Sequence, residues 1–71
     1  MSKIAVLGAG ESGVGAAVLA QSKGLAVFVS DMGAIQPKYK AMLESYGLRW
    51  EEGKHSEDEI LSATEVVKSP G

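Results

Sequence analysis

Ile4-Ala5-Val6-Leu7-Gly8-Ala9-Gly10-Glu11-Ser12-Gly13 is the stretch on which the reading of the fold turns. Its first four residues are an apolar run without polar alternation, the pattern of a strand buried on both faces in a parallel sheet. The next six spell G-x-G-x-x-G directly after that strand. Beyond them Val14, Ala17, Val18 and Gln21 fall at i, i+3, i+4 and i+7, a face that is apolar except at its last position, and Ala16 and Ala20 add helix propensity. Strand, glycine loop and helix thus follow one another without a linker, the context that gives this motif its meaning. Gly8 is expected to permit the tight turn and Gly10 to leave room for a phosphate against the backbone, while Gly13 with Gly15 lets the helix pack close to the sheet. Unpaired amides and the positive end of the helix dipole then form an anion site.

The alternation continues along the chain. Gly24 suits the position just past a helix end. Ala26-Val27-Phe28-Val29-Ser30 is a second β-branched and aromatic run with Asp31 at its carboxyl end. Pro37 opens a second helix, whose apolar stripe is Tyr39, Met42, Leu43 and Tyr46 and whose stop is Gly47. Leu48 to Trp50 reads as a weaker third strand. Ser56-Glu57-Asp58-Glu59 has the S-x-x-E form of a capping box and starts one or two helical turns. Val66-Val67 forms a fourth strand running into Ser69-Pro70-Gly71.

This βαβαβαβ order predicts an α/β protein, because parallel strands need right-handed crossovers. The expected architecture is a Rossmann-like three-layer half-fold, with four parallel strands in the order 3-2-1-4 and flanking helices. The glycine loop then lies at the switch point between strands one and four, where ligands bind outside the carboxyl ends.

Composition narrows the functions such a fold can carry. A chain of 71 residues is at most one small domain, and a domain of this size buries only about 60% of its unfolded surface. With no cysteine and one histidine, disulfides and thiolate-ligated metals are excluded. Seven Lys and Arg against nine Asp and Glu leave a net charge of −2 and no basic stripe, which argues against nucleic acid as a partner. Glu51, Glu52, Glu57, Asp58 and Glu59 read as a solvated acidic face around Lys54 and His55. No apolar run approaches the length of a membrane span, so no membrane insertion is expected and a cytoplasmic location is. Neither a Ser-His-Asp set, a metal triad nor a Walker loop is present, so residues 1–71 are expected to hold no catalytic residues, no metal site and no cofactor.

Single side chains carry two readings each. Asp31 either accepts hydrogen bonds from ribose hydroxyls or a base edge, or caps a turn. Ser12 either donates to a phosphate or caps the helix. Glu11 disfavours a phosphate and is expected to point away. His55 reads as a loop histidine, while Phe28, Trp50, Tyr39 and Tyr46 read as core. An NAD-binding half-domain of a dehydrogenase and a regulatory nucleotide-sensing module both share the glycine loop and Asp31.

KIAVLGAGES at Lys3 to Ser12, the following GVGAA, VFVSD at Val27 to Asp31 and above all VVKSPG at Val66 to Gly71 resemble the N-terminal domain of the Mur ligases, and among them the D-glutamate-adding ones. Many nucleotide-binding proteins share the glycine loop; the Ser-Pro-Gly that follows an apolar strand is the more discriminating piece. The resemblance implies that residues 1–71 are one UDP-sugar-binding domain from a three-domain, ATP-dependent ligase of peptidoglycan synthesis. Its substrate would be UDP-N-acetylmuramoyl-L-alanine, with ATP, Mg2+ and D-glutamate handled mainly by central and C-terminal domains. By position, Gly10, Glu11, Ser12 and Gly13 would meet the diphosphate and nucleoside, Asp31 and the backbone of Met32 would read uracil, and Ser69 and Gly71 would lie near the diphosphate. Gly33 departs from some relatives, which place a longer basic or polar side chain there.

Overall fold

Strands joined through helices pair in parallel, and the computed structural model, which describes residues 2–69, has that arrangement. The elements are β1 (Lys3–Leu7), α1 (Glu11–Ser22), β2 (Ala26–Asp31), α2 (Pro37–Ser45), β3 (Arg49–Glu52), α3 (Glu57–Leu61) and β4 (Glu65–Lys68). All strand pairs are parallel and the sheet order is β3-β2-β1-β4, as the sequence predicts. The third strand is displaced from the apolar Leu48–Trp50 to Arg49–Glu52. Leu48 instead closes the preceding turn, where its amide donates to the Leu43 carbonyl at 2.9 Å.

Register sorts the side chains into two unequal layers. Ile4 pairs with Val27, Val6 with Val29 and Val67, and Val29 with Trp50, so these residues share one face. They meet Val14 and Ala17 of α1 and Leu43 of α2, and Ile35 and Leu48 complete this core. On the other face Ala5 and Phe28 are buried without a long helix above them. There Lys3 and Arg49 lie 5.9 and 5.3 Å from the centre of the Phe28 ring, and Glu59 of α3 pairs with both cations at 2.7 and 2.9 Å. A lid of charge over an aromatic ring thus replaces a second apolar layer.

Both long helices end as their glycines dictate. Gly24 and Gly47 have φ of 82° and 68°. Their amides donate to Gln21 and Glu44, while the next amides, of Leu25 and Leu48, reach back to Ala20 and Leu43. This is the Schellman arrangement, closed twice.

Three local expectations need correction. Met42 and Tyr46 are exposed, because α2 lies at the margin of its layer and only Leu43 is enclosed on all sides. Ser56 precedes α3 but makes no side-chain cap; its hydroxyl donates to Glu51, and Glu59 is drawn away to Lys3 and Arg49. Gly15 gives no close approach, since a Cβ there meets nothing within 4 Å, whereas one at Gly13 would lie 1.8 Å from the Gly8 carbonyl oxygen.

Two glycines in one helix should therefore respond oppositely. Gly15→Ala should raise stability by about 0.5–1 kcal/mol, the helix penalty of glycine relative to alanine. Gly13→Ala should lower it by about 1–3 kcal/mol or more through a backbone clash that no rotamer relieves. Urea denaturation of both variants measures the contrast; loss of stability in Gly15→Ala would contradict it.

Candidate functional site

At the carboxyl edge of the sheet the chain leaves β1 at Gly8, whose φ of 102° favours glycine strongly. The Gly8 amide donates to the Ser30 carbonyl at 2.8 Å, extending the β1–β2 ladder, and the Ser69 amide donates to the Leu7 carbonyl at 2.9 Å on the other side. A Cβ on Gly8 would lie 3.0 Å from Ser69 Cβ, and one on Gly13 3.5 Å from the same atom. The ends of β1, β2 and β4 are thereby drawn around one glycine loop.

Gly10 is the N-cap of α1, with extended backbone and a carbonyl that accepts the Val14 amide at 2.9 Å. No side chain caps this end, so the first-turn amides at Glu11, Ser12 and Gly13 have no acceptor within the helix. Ser12 therefore does not cap α1: it lies inside the first turn, past the N-cap, and is exposed. Glu11 is exposed as well. Gly10 itself is unlike its neighbours, because a Cβ on it would meet nothing within 4 Å. Packing among the described residues gives no reason for its missing side chain.

Asp31 turns out to be a brace. Its Oδ2 accepts the Ala9 amide and its Oδ1 the Gly33 amide, both at 2.8 Å. The second contact is the turn role anticipated for it; the first ties the glycine loop to the end of β2. A carboxylate has about four lone-pair directions, and two are used here, so the half-buried Asp31 retains acceptor capacity toward a ligand. Met32 follows with 62% of its surface exposed. At Gly33 a Cβ would lie 3.6 Å from Asp31 Oδ1, an ordinary contact, so a longer side chain has room there. Gly10 to Gly13, Asp31, Met32 and Ser69 thus lie around one edge, while Gly71 lies outside the described residues.

Behind this edge stands a layer of acids that the sequence reading assigned to solvent. Ser30 is fully buried, and its hydroxyl lies 2.7 Å from Glu51 Oε2, 2.6 Å from His55 Nδ1 and 3.0 Å from the Lys54 carbonyl. Glu51 also accepts the Ser56 amide and hydroxyl. Glu52 accepts the Ile35 amide at 2.8 Å and pairs with Lys40 at 2.7 Å. Only Glu57 and Asp58 of the five fit the solvated face. The overlooked signal is a polar Ser30 inside a buried strand, since a buried hydroxyl requires partners and parallel register sets Glu51 beside it. His55 keeps its place in a loop, Phe28 is buried, and Trp50 and Tyr39 pack partly buried against the core.

Burial pushes the Glu51 carboxyl up, but the Ser56 amide and hydroxyl, the Ser30 hydroxyl and the charge of Lys54 together hold it below the ordinary 4.5. Lys40 and the Ile35 amide lower Glu52, and Lys3 and Arg49 lower Glu59.

Residues 3–71 match the family model described as the MurD N-terminal domain. The chain is 66% identical over all 71 residues to the UDP-N-acetylmuramoylalanine--D-glutamate ligase of Bacteroides fragilis and 62% identical over 71 residues to that of Bacteroides thetaiotaomicron. It is 66% identical over 68 residues, 96% of the chain, to that of Porphyromonas gingivalis. It spans 16% of the length of the first two relatives and 15% of the third.

The three lowered carboxyls give stability a definite sign with pH. Each contributes above its unfolded value, near 4.5, and loses that contribution as pH falls through its lower folded value. The melting temperature should therefore drop steeply below pH 4.5, and Glu51→Gln should flatten that acid limb while lowering stability at neutral pH. Thermal melts of both proteins across the acid range test this; an unchanged acid limb in the variant would remove Glu51 from the account.

Proposed function

The chain belongs to the MurD N-terminal domain family, and from that premise we propose that it binds the UDP end of UDP-N-acetylmuramoyl-L-alanine for a D-glutamate ligase. The observation that carries the proposal is Gly10: among the described residues its absent side chain serves no contact, and the first-turn amides beside it have no acceptor within the helix, which leaves them for an anion. The diphosphate would lie across Gly10 to Gly13, with Ser69 on the β4 side; Gly71, which the resemblance groups with Ser69, lies outside the described residues. The nucleoside would extend toward Asp31, whose spare acceptor capacity suits a uracil N–H, and toward the backbone of Met32. Glu11 would turn its carboxylate away from the phosphates while its charge favours the helix N-terminus.

The proposed role of this chain is binding and orientation. ATP and Mg2+, which supply carboxylate activation, would be handled by central and C-terminal domains of a longer parent, so residues 1–71 alone should release no phosphate from ATP. A cytoplasmic location is part of the same proposal; the described residues contain no helix long and apolar enough to cross a membrane.

Gly10→Val should leave the fold intact, since its Cβ enters open space, yet weaken UDP and pyrophosphate binding by at least about tenfold, or 1.4 kcal/mol. Asp31→Ala should weaken UDP by about 1.5–3 kcal/mol, the range for hydrogen bonds to charged groups, and pyrophosphate by less. Calorimetric titration of both ligands, with melts as control, reads both effects. Wild-type affinity in a folded Gly10→Val protein would make the loop structural only. Amide shifts of Gly8 to Gly13 that saturate at lower NAD than UDP concentration would transfer the site to a dinucleotide.

A further inference from the structure

The segment from Met32 to Gln36 joins β2 to α2 and carries no regular structure, yet on the reading above it presents the base-contacting backbone. Its conformation is bracketed by two carboxylates that stand side by side in the sheet, Asp31 and Glu52. Asp31 takes the Gly33 amide at 2.8 Å, and Glu52 takes the Ile35 amide at 2.8 Å. Between these two contacts the Gly33 carbonyl accepts the Gly53 amide at 3.1 Å. Ile35 is buried in the core, so its position anchors the loop from below. The other oxygen of Glu52 pairs with Lys40, whose ammonium also lies 5.6 Å from the Trp50 ring centre.

Among the described residues, no hydrogen bond or ion pair joins Glu52 to the glycine loop. Asp31 braces that loop through Ala9, whereas Glu52 reaches only the nucleoside side of the site. The two carboxylates therefore divide the edge into a phosphate half and a base half that share Asp31.

We propose that Glu52 is a positioning residue for nucleoside recognition: by holding the Ile35 amide it sets the 32–36 loop in the conformation that binds a pyrimidine nucleoside diphosphate. The proposal rests on the nucleoside reading of Asp31 and Met32. Its determinant is an acceptor at the right reach, not negative charge, so the conservative variants separate these two contributions. Glutamine keeps an oxygen at the same distance but loses the charge. Aspartate keeps the charge for the flexible Lys40 but falls one methylene short of Ile35.

The test is titration of the wild-type chain, Glu52→Ala, Glu52→Asp and Glu52→Gln with UDP and with inorganic pyrophosphate, followed by amide NMR. We expect Glu52→Ala and Glu52→Asp to bind UDP about tenfold more weakly, the loss of roughly one hydrogen bond's positioning, with pyrophosphate affinity unchanged. Glu52→Gln should stay close to wild type for both ligands. A purely structural role would instead lower UDP and pyrophosphate together, and that result overturns the proposal, as does wild-type UDP affinity in Glu52→Asp. Should Glu52→Ala fail to fold, the aspartate and glutamine variants carry the decision between them. Wild-type protein that binds UDP no more tightly than pyrophosphate would defeat the nucleoside reading itself, an outcome seen before any variant is compared.

Discussion

The approach of Gly13 to Gly8 is the contact from which the functional edge is built. With the Gly8 carbonyl oxygen 1.8 Å from where a Gly13 Cβ would sit, α1 can begin immediately above the end of β1 only if that position has no side chain. This places the first helical turn, whose amides have no acceptor among the described residues, at the carboxyl edge of the sheet. Everything else at the edge is arranged around that backbone: the Ser30 carbonyl on one side, Ser69 on the other, and the Asp31 carboxylate on the Ala9 amide. The proposed phosphate site is consequently made of dipoles and not of cations, which is how a chain of net charge −2 can offer an anion a place.

Three acids of this chain act as hydrogen-bond acceptors for its own loops. Asp31, Glu51 and Glu52 sit at the ends of β2 and β3 and accept amides from the segments that leave β1, β2 and β3. Turns with few apolar residues have little burial to hold them, and a carboxylate that accepts two donors supplies the missing constraint. Glu59 does related work on the far face, where it gathers Lys3 and Arg49 above Phe28. That face carries no long helix, and Leu61 and Val66 remain exposed beside it. The tertiary structure therefore leans on one apolar layer and on ion pairs for the other, which links folding to protonation more closely than a two-sided core would.

Periodicity made the topology legible. The apolar runs Ile4–Leu7 and Ala26–Ser30, the helical spacing after Gly13 and the glycines at 24 and 47 each act within a few residues, so a local pattern reports them faithfully. What stayed hidden depends on partners far along the chain. Ser56 and Glu59 have the spacing of a capping box, but Glu51, Lys3 and Arg49 compete for them and win. Glu51 and Glu52 look solvated in a run of acids; parallel register sets Glu51 beside Ser30, and only the fold of the loop after β2 brings the Ile35 amide to Glu52. Spacing and context make the glycine loop and Asp31 legible as a candidate site; the bracing of one by the other is not legible, because a hydrogen bond from Ala9 to Asp31 leaves no trace in either segment alone.

An anion site of this kind has a particular division of labour. Backbone amides fixed by Gly8, Gly13 and Asp31 are preorganised, so at the proposed site a phosphate group would find its donors already aimed and little conformational entropy would be lost on binding. They are also indifferent to what the phosphate is attached to, since every amide offers the same N–H. Discrimination among nucleotides would then come from the adjacent loop, where Asp31 has acceptor capacity left and Gly33 carries no side chain. A loop that discriminates has to be as well fixed as the amides beside it. In this chain the loop is held from β3, through Glu52 and Gly53, so on the proposed reading the edge strand on the far side of β2 from the glycine loop would support its selectivity.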